Sequence, residues 1–150
     1  MVKKTNEEEK PATGKKVYNT PYLLTVGRRK QAIARVRLYS KGTGAITVNN
    51  KPIDAYFGGE ASKSSYMVPF VVTNTIGKFD ITIRVAGGGQ AGQLGAVIHG
   101  MTRAIEKFDK EKFRAILKSN GLLTRDPRVK ERRKVGMGGK SRRKKQSPKR

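Results

Sequence analysis

In the run Ala32-Ile33-Ala34-Arg35-Val36-Arg37-Leu38-Tyr39, the residues Ala32, Ala34, Val36 and Leu38 fall on one side of an extended chain, and Ile33, Arg35, Arg37 and Tyr39 on the other. Successive strand side chains point to opposite faces, so this is the pattern of a strand with one apolar and one polar face. Phe79, Ile81, Ile83 and Val85 repeat it against Asp80, Thr82 and Arg84. Two shorter β-rich runs lie at residues 22–26 and 45–48, the second bounded by Gly42, Gly44 and the turn pair Asn49-Asn50. The expectation is a mostly antiparallel sheet of about four strands.

Helical spacing begins at Ala91, after which Leu94, Val97, Ile98, Met101, Ala104, Ile105 and Phe108 recur three or four apart. That face is wide enough to cover the sheet. Asp109 is placed to cap a second helix with Phe113, Ile116 and Leu117 on its buried side, and Gly121 to end it in a left-handed conformation. Residues 52–57 and 62–69 read as short helices joined by Gly58 and Gly59. The predicted fold is therefore α+β, a four-stranded mostly antiparallel sheet with helices on one face.

The 150 residues carry 34 Lys or Arg against 11 Asp or Glu, a net charge of +23, with one His and neither Cys nor Trp. Absence of Cys removes disulfide frameworks, thiolate metal sites and cysteine nucleophiles. No apolar run approaches the roughly 20 residues of a membrane helix, and the first twenty residues lack a signal-like stretch. The chain reads as cytosolic, with no cofactor, no small-molecule substrate and a polyanionic partner, nucleic acid first. Residues 125–150 hold thirteen of the basic residues, with only Asp126 and Glu131 opposing them, and their large apolar residues are Val129, Val135 and Met137. Such a segment cannot make a core and suits an extended strap that orders on its partner. The expected organisation is a flexible polar extension over 1–21, a globular core over 22–124 and a basic tail over 125–150.

Gly87-Gly88-Gly89-Gln90-Ala91-Gly92 sits between a strand and a helix, where backbone amides can cradle phosphate. No Lys-Ser/Thr pair follows as in a P-loop, and the dinucleotide fingerprint needs a parallel unit with an acidic residue about 20 positions on. A plain tight turn, or contact of bare amides with an RNA backbone, fits better. Gly139-Lys140-Ser141 only imitates the end of a Walker motif, since Lys134 stands where the first glycine would be. His99 has no acid or base partner nearby in sequence, and the carboxylates are few and scattered, so no paired-acid mechanism suggests itself. By contrast Arg28-Arg29-Lys30, with Arg35 and Arg37, gathers five cations around one hairpin, an arrangement better suited to phosphate than to bare solvent. Tyr39 is placed to stack on a base beside them.

Val26-Gly27-Arg28-Arg29-Lys30-Gln31-Ala32-Ile33-Ala34-Arg35-Val36 resembles the opening of the bacterial form of the small-subunit ribosomal protein nine family. Three further blocks agree with it. Gly87-Gly88-Gly89 followed by Gln93-Leu94-Gly95-Ala96 and His99-Gly100-Met101-Thr102-Arg103-Ala104 resembles the glycine turn and long helix of that family. Leu122-Leu123-Thr124-Arg125-Asp126-Pro127-Arg128 resembles its exit segment, and Glu131-Arg132-Arg133-Lys134-Val135-Gly136 the start of its tail.

The resemblance implies the fold of the second domain of ribosomal protein five and a non-enzymatic, structural role in translation. The core is then expected in the head of the small ribosomal subunit, on its rRNA and beside neighbouring ribosomal proteins, in a cytoplasmic or organelle ribosome and away from membranes. Residues expected on rRNA are Arg28, Arg29, Lys30, Arg35 and Arg37 of the hairpin and Gly88 and Gly89 of the turn. Those of the tail are Arg125, Arg128, Lys130, Arg132, Arg133, Lys134, Lys140, Arg142, Arg143, Lys144 and Lys145. Lys149 and Arg150 match the family's final Lys-Arg, the pair that approaches the anticodon stem of peptidyl-site tRNA. Just before them this chain has Gln146-Ser147-Pro148 where the family commonly shows Gln-Phe-Ser, so an aromatic is absent and Pro148 supplies backbone stiffness instead. A nucleic-acid-acting enzyme would need a carboxylate cluster or an activated nucleophile, and a DNA-compacting protein would prefer duplex DNA over structured RNA.

Overall fold

The computed structural model describes residues 21–132. The expected extension over 1–21, apart from Pro21, and the tail from Arg133 onward lie outside the described residues. The elements run β1 (Leu23–Arg29), β2 (Ala32–Tyr39), β3 (Ile46–Val48), β4 (Lys51–Pro52), α1 (Ile53–Tyr56), α2 (Glu60–Val72), β5 (Asp80–Ala86), α3 (Gln90–Phe108) and α4 (Lys110–Ser119). Neither long helix is long and apolar enough to cross a membrane.

The strands form one sheet in the order β1-β2-β5-β3-β4. Five strands replace the four expected, and the sheet is mixed: β1 with β2, β2 with β5 and β3 with β4 are antiparallel, whereas β3 and β5 run parallel. The departure has a topological cause. Asn49 and Asn50, with φ of 48° and 66°, turn the chain back into the two-residue β4. The path from β3 to β5 then passes through α1 and α2, and such a crossover delivers a parallel neighbour. Asn49 fastens that junction, its amide nitrogen donating to Val85 O at 3.1 Å and its side-chain oxygen accepting from Val85 N at 3.0 Å.

The inner faces of β2 and β5 (Ala32, Ala34, Val36, Leu38, Ile81, Ile83, Val85) are buried together with Val97, Met101 and Ile105 of α3. The buried face of α3 includes the expected Val97, Met101, Ala104 and Ile105 and extends to a row of small residues that the large apolar positions do not indicate. Gly92, Ala96, Gly100 and Ala104 are all buried, four apart and so in one row, while Ala91 is exposed and Phe108 lies at the rim against Phe79. This row of small residues lets the helix lie close on β1 and β2. A Cβ at Gly27 would stand 1.9 Å from Ala96 O and 2.4 Å from Gly100 N, and one at Gly100 would meet Val36 Cγ2 at 2.6 Å. Thr25 Oγ1 donates to Gly100 O at 2.8 Å in the same buried seam.

In α4, Asp109 caps the helix as expected, its side chain accepting from Lys112 N at 3.2 Å, and Gly121 has φ +68°. Only Leu117 is buried there. Phe113 is half-buried and Ile116 is exposed, because α4 touches the core along one narrow line and leaves the rest of its surface open.

Substitution of Gly27 by Ala should cost at least the roughly 1–3 kcal/mol of an overpacked core, since the obstacle is backbone that cannot rotate away. Gly92→Ala is the contrast. Its Cβ would find Arg29 O at 3.7 Å and Ala32 Cβ at 3.8 Å, ordinary contacts, and helix propensity should give back about 1 kcal/mol. Urea-denaturation midpoints of the two variants should therefore move in opposite directions.

Candidate nucleic-acid interface

Helix α3 packs on the inner faces of β1 and β2, and among the described residues the outward-facing side chains of β1, β2 and β5 are largely exposed. The register fixes what that open face displays. Arg28 stands opposite Ile33, Val26 opposite Arg35 and Leu24 opposite Arg37; across the other edge of β2, Arg35 faces Arg84 and Arg37 faces Thr82. Arg28, Arg35, Arg37 and Arg84 are exposed, and no carboxylate among the described residues pairs with any of them. Arg35 and Arg84 sit directly opposite, with Cβ atoms about 5 Å apart, a like-charge pair that disfavours the isolated sheet. Arg84 was not among the candidates, although its place in the alternation of residues 79–85 put it on the polar face.

The stacking residue expected here is corrected. Tyr39 is only 5% exposed, because Tyr22 packs over it with ring centroids 5.9 Å apart. Tyr22 itself is 46% exposed and carries the Arg37 guanidinium 5.0 Å from its ring centroid. Tyr22, with the exposed Leu24 and Ile33, gives the cationic face its apolar patches.

Lys30, with φ 52°, forms the β1–β2 turn. Against that turn lies the glycine run: Gly87, at φ +76°, has no room for a side chain because Gln31 O would be 2.7 Å from its Cβ. Gly88 approaches Ala32, and nothing lies within 4 Å of the Cβ direction at Gly89. The fold thus brings Gly88, Gly89 and Lys30 to one corner. Gly87 is explained by chain packing, as the tight-turn reading expected.

Arg29 departs from its neighbours. Its side chain turns to the exit segment, where Nη2 lies 2.9 Å from Asp126 Oδ2 and Nη1 donates to Arg128 O at 2.6 Å. Arg125, Arg128, Lys130 and Arg132 are exposed along the same segment. Of the remaining candidates, Arg133, Lys134, Lys140, Arg142, Arg143, Lys144, Lys145, Lys149 and Arg150 lie outside the described residues. Hydrogen bonds from Arg128 hold the Asp126 carboxyl well below the usual carboxylate range, with the Arg29 charge adding to them.

The free edge of β1 is guarded by α3. Arg103 Nη1 donates to Val26 O at 2.6 Å, and the Arg28 backbone N–H donates to His99 Nδ1 at 3.4 Å. Beside this edge an open groove of about 610 Å³ is lined by Leu24, Thr25 and Val26 of β1 with Arg103, Glu106, Lys107, Lys110 and Arg114. Within it Arg114 pairs with Glu106. Burial pushes the His99 pKa below the ordinary value, the nearby Arg103 and Arg125 charges acting in the same direction.

An α+β core with an uncovered cationic sheet face has the architecture of a polyanion-binding protein. A sequence profile of the family described as Ribosomal protein S9/S16 matches residues 27–150. The small ribosomal subunit protein uS9 of Dehalococcoides mccartyi is 51% identical over 121 residues, which cover 81% of this chain and 90% of that one. The uS9 protein of Maridesulfovibrio salexigens is 54% identical over 113 residues, 75% of this chain and 85% of its own. For Anaeromyxobacter dehalogenans uS9 the identity is 47% over 116 residues, 77% and 88% of the two chains. The chain belongs to the ribosomal protein S9 family.

The depressed pKa of His99 sets a pH dependence. The unfolded imidazole takes its proton near pH 6.5, before the folded one does, so stability is full above that pH and declines as pH falls below it. Denaturation midpoints of the full chain should drop between pH 7 and pH 5, and His99→Gln, which cannot titrate, should flatten that drop.

Proposed function

We propose that this protein is a structural, non-catalytic component of the small ribosomal subunit, seated in the subunit head on small-subunit rRNA, with a tail that reaches peptidyl-site tRNA. The observation that carries the reading is membership of a family whose relatives are small ribosomal subunit proteins, similar over most of this chain. The division into extension (1–21), core (22–124) and tail (125–150) goes with it.

The physical account is binding without chemistry. Arg28, Lys30, Arg35, Arg37 and Arg84 meet phosphates from the open face and its turn, and Gly88 and Gly89 add backbone amides at the same corner. Tail cations from Arg125 to Lys145 neutralise rRNA where strands crowd together. Release of counterions then supplies much of the free energy, partly offset by ordering of the tail. At the tRNA, Arg150 offers a fork of donors and Lys149 a point charge, and neither contact reads sequence. That suits a site through which every tRNA passes.

In-cell RNA crosslinking with the intact chain and with a version stopped after Pro148 tests the reading. Crosslinks should fall on small-subunit rRNA for both, and anticodon-stem crosslinks should vanish only in the shortened chain, with subunit assembly retained. Crosslinks scattered over messenger RNA or recovered on DNA would overturn it, and failed assembly on loss of two residues would count against the division of labour. For the sheet face, Arg84→Gln should reduce the slope of log affinity against log salt by about 0.7–0.9, the contribution of one phosphate contact. An unchanged slope removes Arg84 from the interface.

A further inference from the structure

The exit segment and the first residues of the basic tail are fastened to the core at two successive points. After α4, Gly121 reverses the chain and Leu122 N donates to Leu117 O at 3.1 Å, which seats Leu122 and Leu123 partly buried against the core. The second point is the more elaborate. Arg29 Nη2 lies 2.9 Å from Asp126 Oδ2, while its Nη1 donates to Asp126 O at 3.3 Å and to Arg128 O at 2.6 Å. Arg128 closes on the same carboxylate, its backbone N donating to Oδ1 at 2.9 Å and its Nη2 to Oδ2 at 2.7 Å. Pro127 between them fixes its own φ and keeps Asp126 extended.

An isolated exposed ion pair contributes little, but this one differs in what it opposes. The tail leaves at Arg29 in a chain of net charge +23, and it carries thirteen cations of its own. Coulomb repulsion alone would swing it away from the β1–β2 turn. Asp126 is the countercharge at the point of exit, and one guanidinium holds both its carboxylate and two main-chain carbonyls, so direction as well as proximity is set.

We propose that Arg29 and Asp126 are positioning residues that set the direction in which the basic tail leaves the core, Arg29 thereby binding its own chain rather than RNA. The consequence for tRNA rests on the function proposed above; the clamp itself does not. The test uses the full chain, Asp126→Asn, and the charge exchange Arg29→Asp with Asp126→Arg, by two readouts. Amide hydrogen exchange in the free protein should speed up about tenfold or more over residues 122–128 in Asp126→Asn, with β2 amides unchanged as the control for folding, and should recover only in part in the exchange pair, which restores the charge attraction but not the donors to the carbonyls of residues 126 and 128. In assembled subunits, anticodon-stem crosslinks from the chain end should fall several-fold in Asp126→Asn and return in part in the pair, while core crosslinks to rRNA stay constant. Unchanged amide exchange in Asp126→Asn would overturn the clamp. Faster exchange with undiminished tRNA crosslinks would overturn its directing role. Absence of tRNA crosslinks from the unsubstituted chain would instead sink the proposed tRNA contact and leave the exchange readout to decide the clamp.

Discussion

Helix α3 crosses β1 at Gly27 at a distance that leaves no room for a side chain there, and most of the molecule's arrangement depends on that contact. Gly27 and Gly100 meet backbone to backbone, with Ala96 O occupying the space a Cβ at Gly27 would need. The buried row Gly92, Ala96, Gly100 and Ala104 turns a helix surface that would normally interlock by large side chains into a smooth track. Close approach lets Thr25 reach Gly100 O, and it brings His99 and Arg103 to the edge of β1, where their polar groups take up an N–H and a carbonyl that would otherwise template another strand. Seating α3 in this way also brings the glycine run against the β1–β2 turn.

The second organising feature is a separation of charge from core. With α3 on the inner face, the exposed cations of β1, β2 and β5 among the described residues share the outer one, where the pleat places Arg35 and Arg84 side by side. Exposed groups of one sign cost little fold stability at physiological ionic strength, and they give a surface that a polyanion can cover. One cation of the hairpin is used differently. Arg29 follows the inner side of β1 and therefore meets the returning chain at Asp126 rather than the open face, so the adjacent Arg28 and Arg29 serve two unlike purposes according to strand parity.

Much of this was legible in the residues. The strict alternation of Ala32 to Leu38 gave the inner face of β2 without error, since a period of two admits one solution once a face is apolar. Asp109 and Gly121 marked the ends of α4 through local hydrogen bonding and a left-handed backbone, both short-range effects. Alternation misjudged Tyr39, because burial at a strand end depends on what packs over it, here Tyr22. The long helix was recognised and Val97, Met101, Ala104 and Ile105 are buried as expected, yet Gly92, Ala96 and Gly100 were not foreseen on the buried side, because apolar size is what a sequence displays and closeness of packing is not. Arg84 was overlooked as a site residue because nothing local links it to Arg35; only the pairing of β2 with β5 does.

The residues alone determined what depends on near neighbours and on composition: helix and strand periods, the Asn49-Asn50 turn, the caps, the excess of positive charge and its concentration after residue 124, together with motifs ordered specifically enough to indicate a family. Tertiary structure alone decided the relations between distant segments: the parallel pairing of β3 with β5, the backbone contact of Gly27 with Gly100, the Arg35–Arg84 juxtaposition and the hold of Arg29 on Asp126, ninety-seven positions apart. The division has a simple cause. Local preferences act through bonds and hydrogen bonds spanning a few residues, whereas these contacts exist only after the whole chain has chosen one sheet order, and no single segment carries a record of that choice.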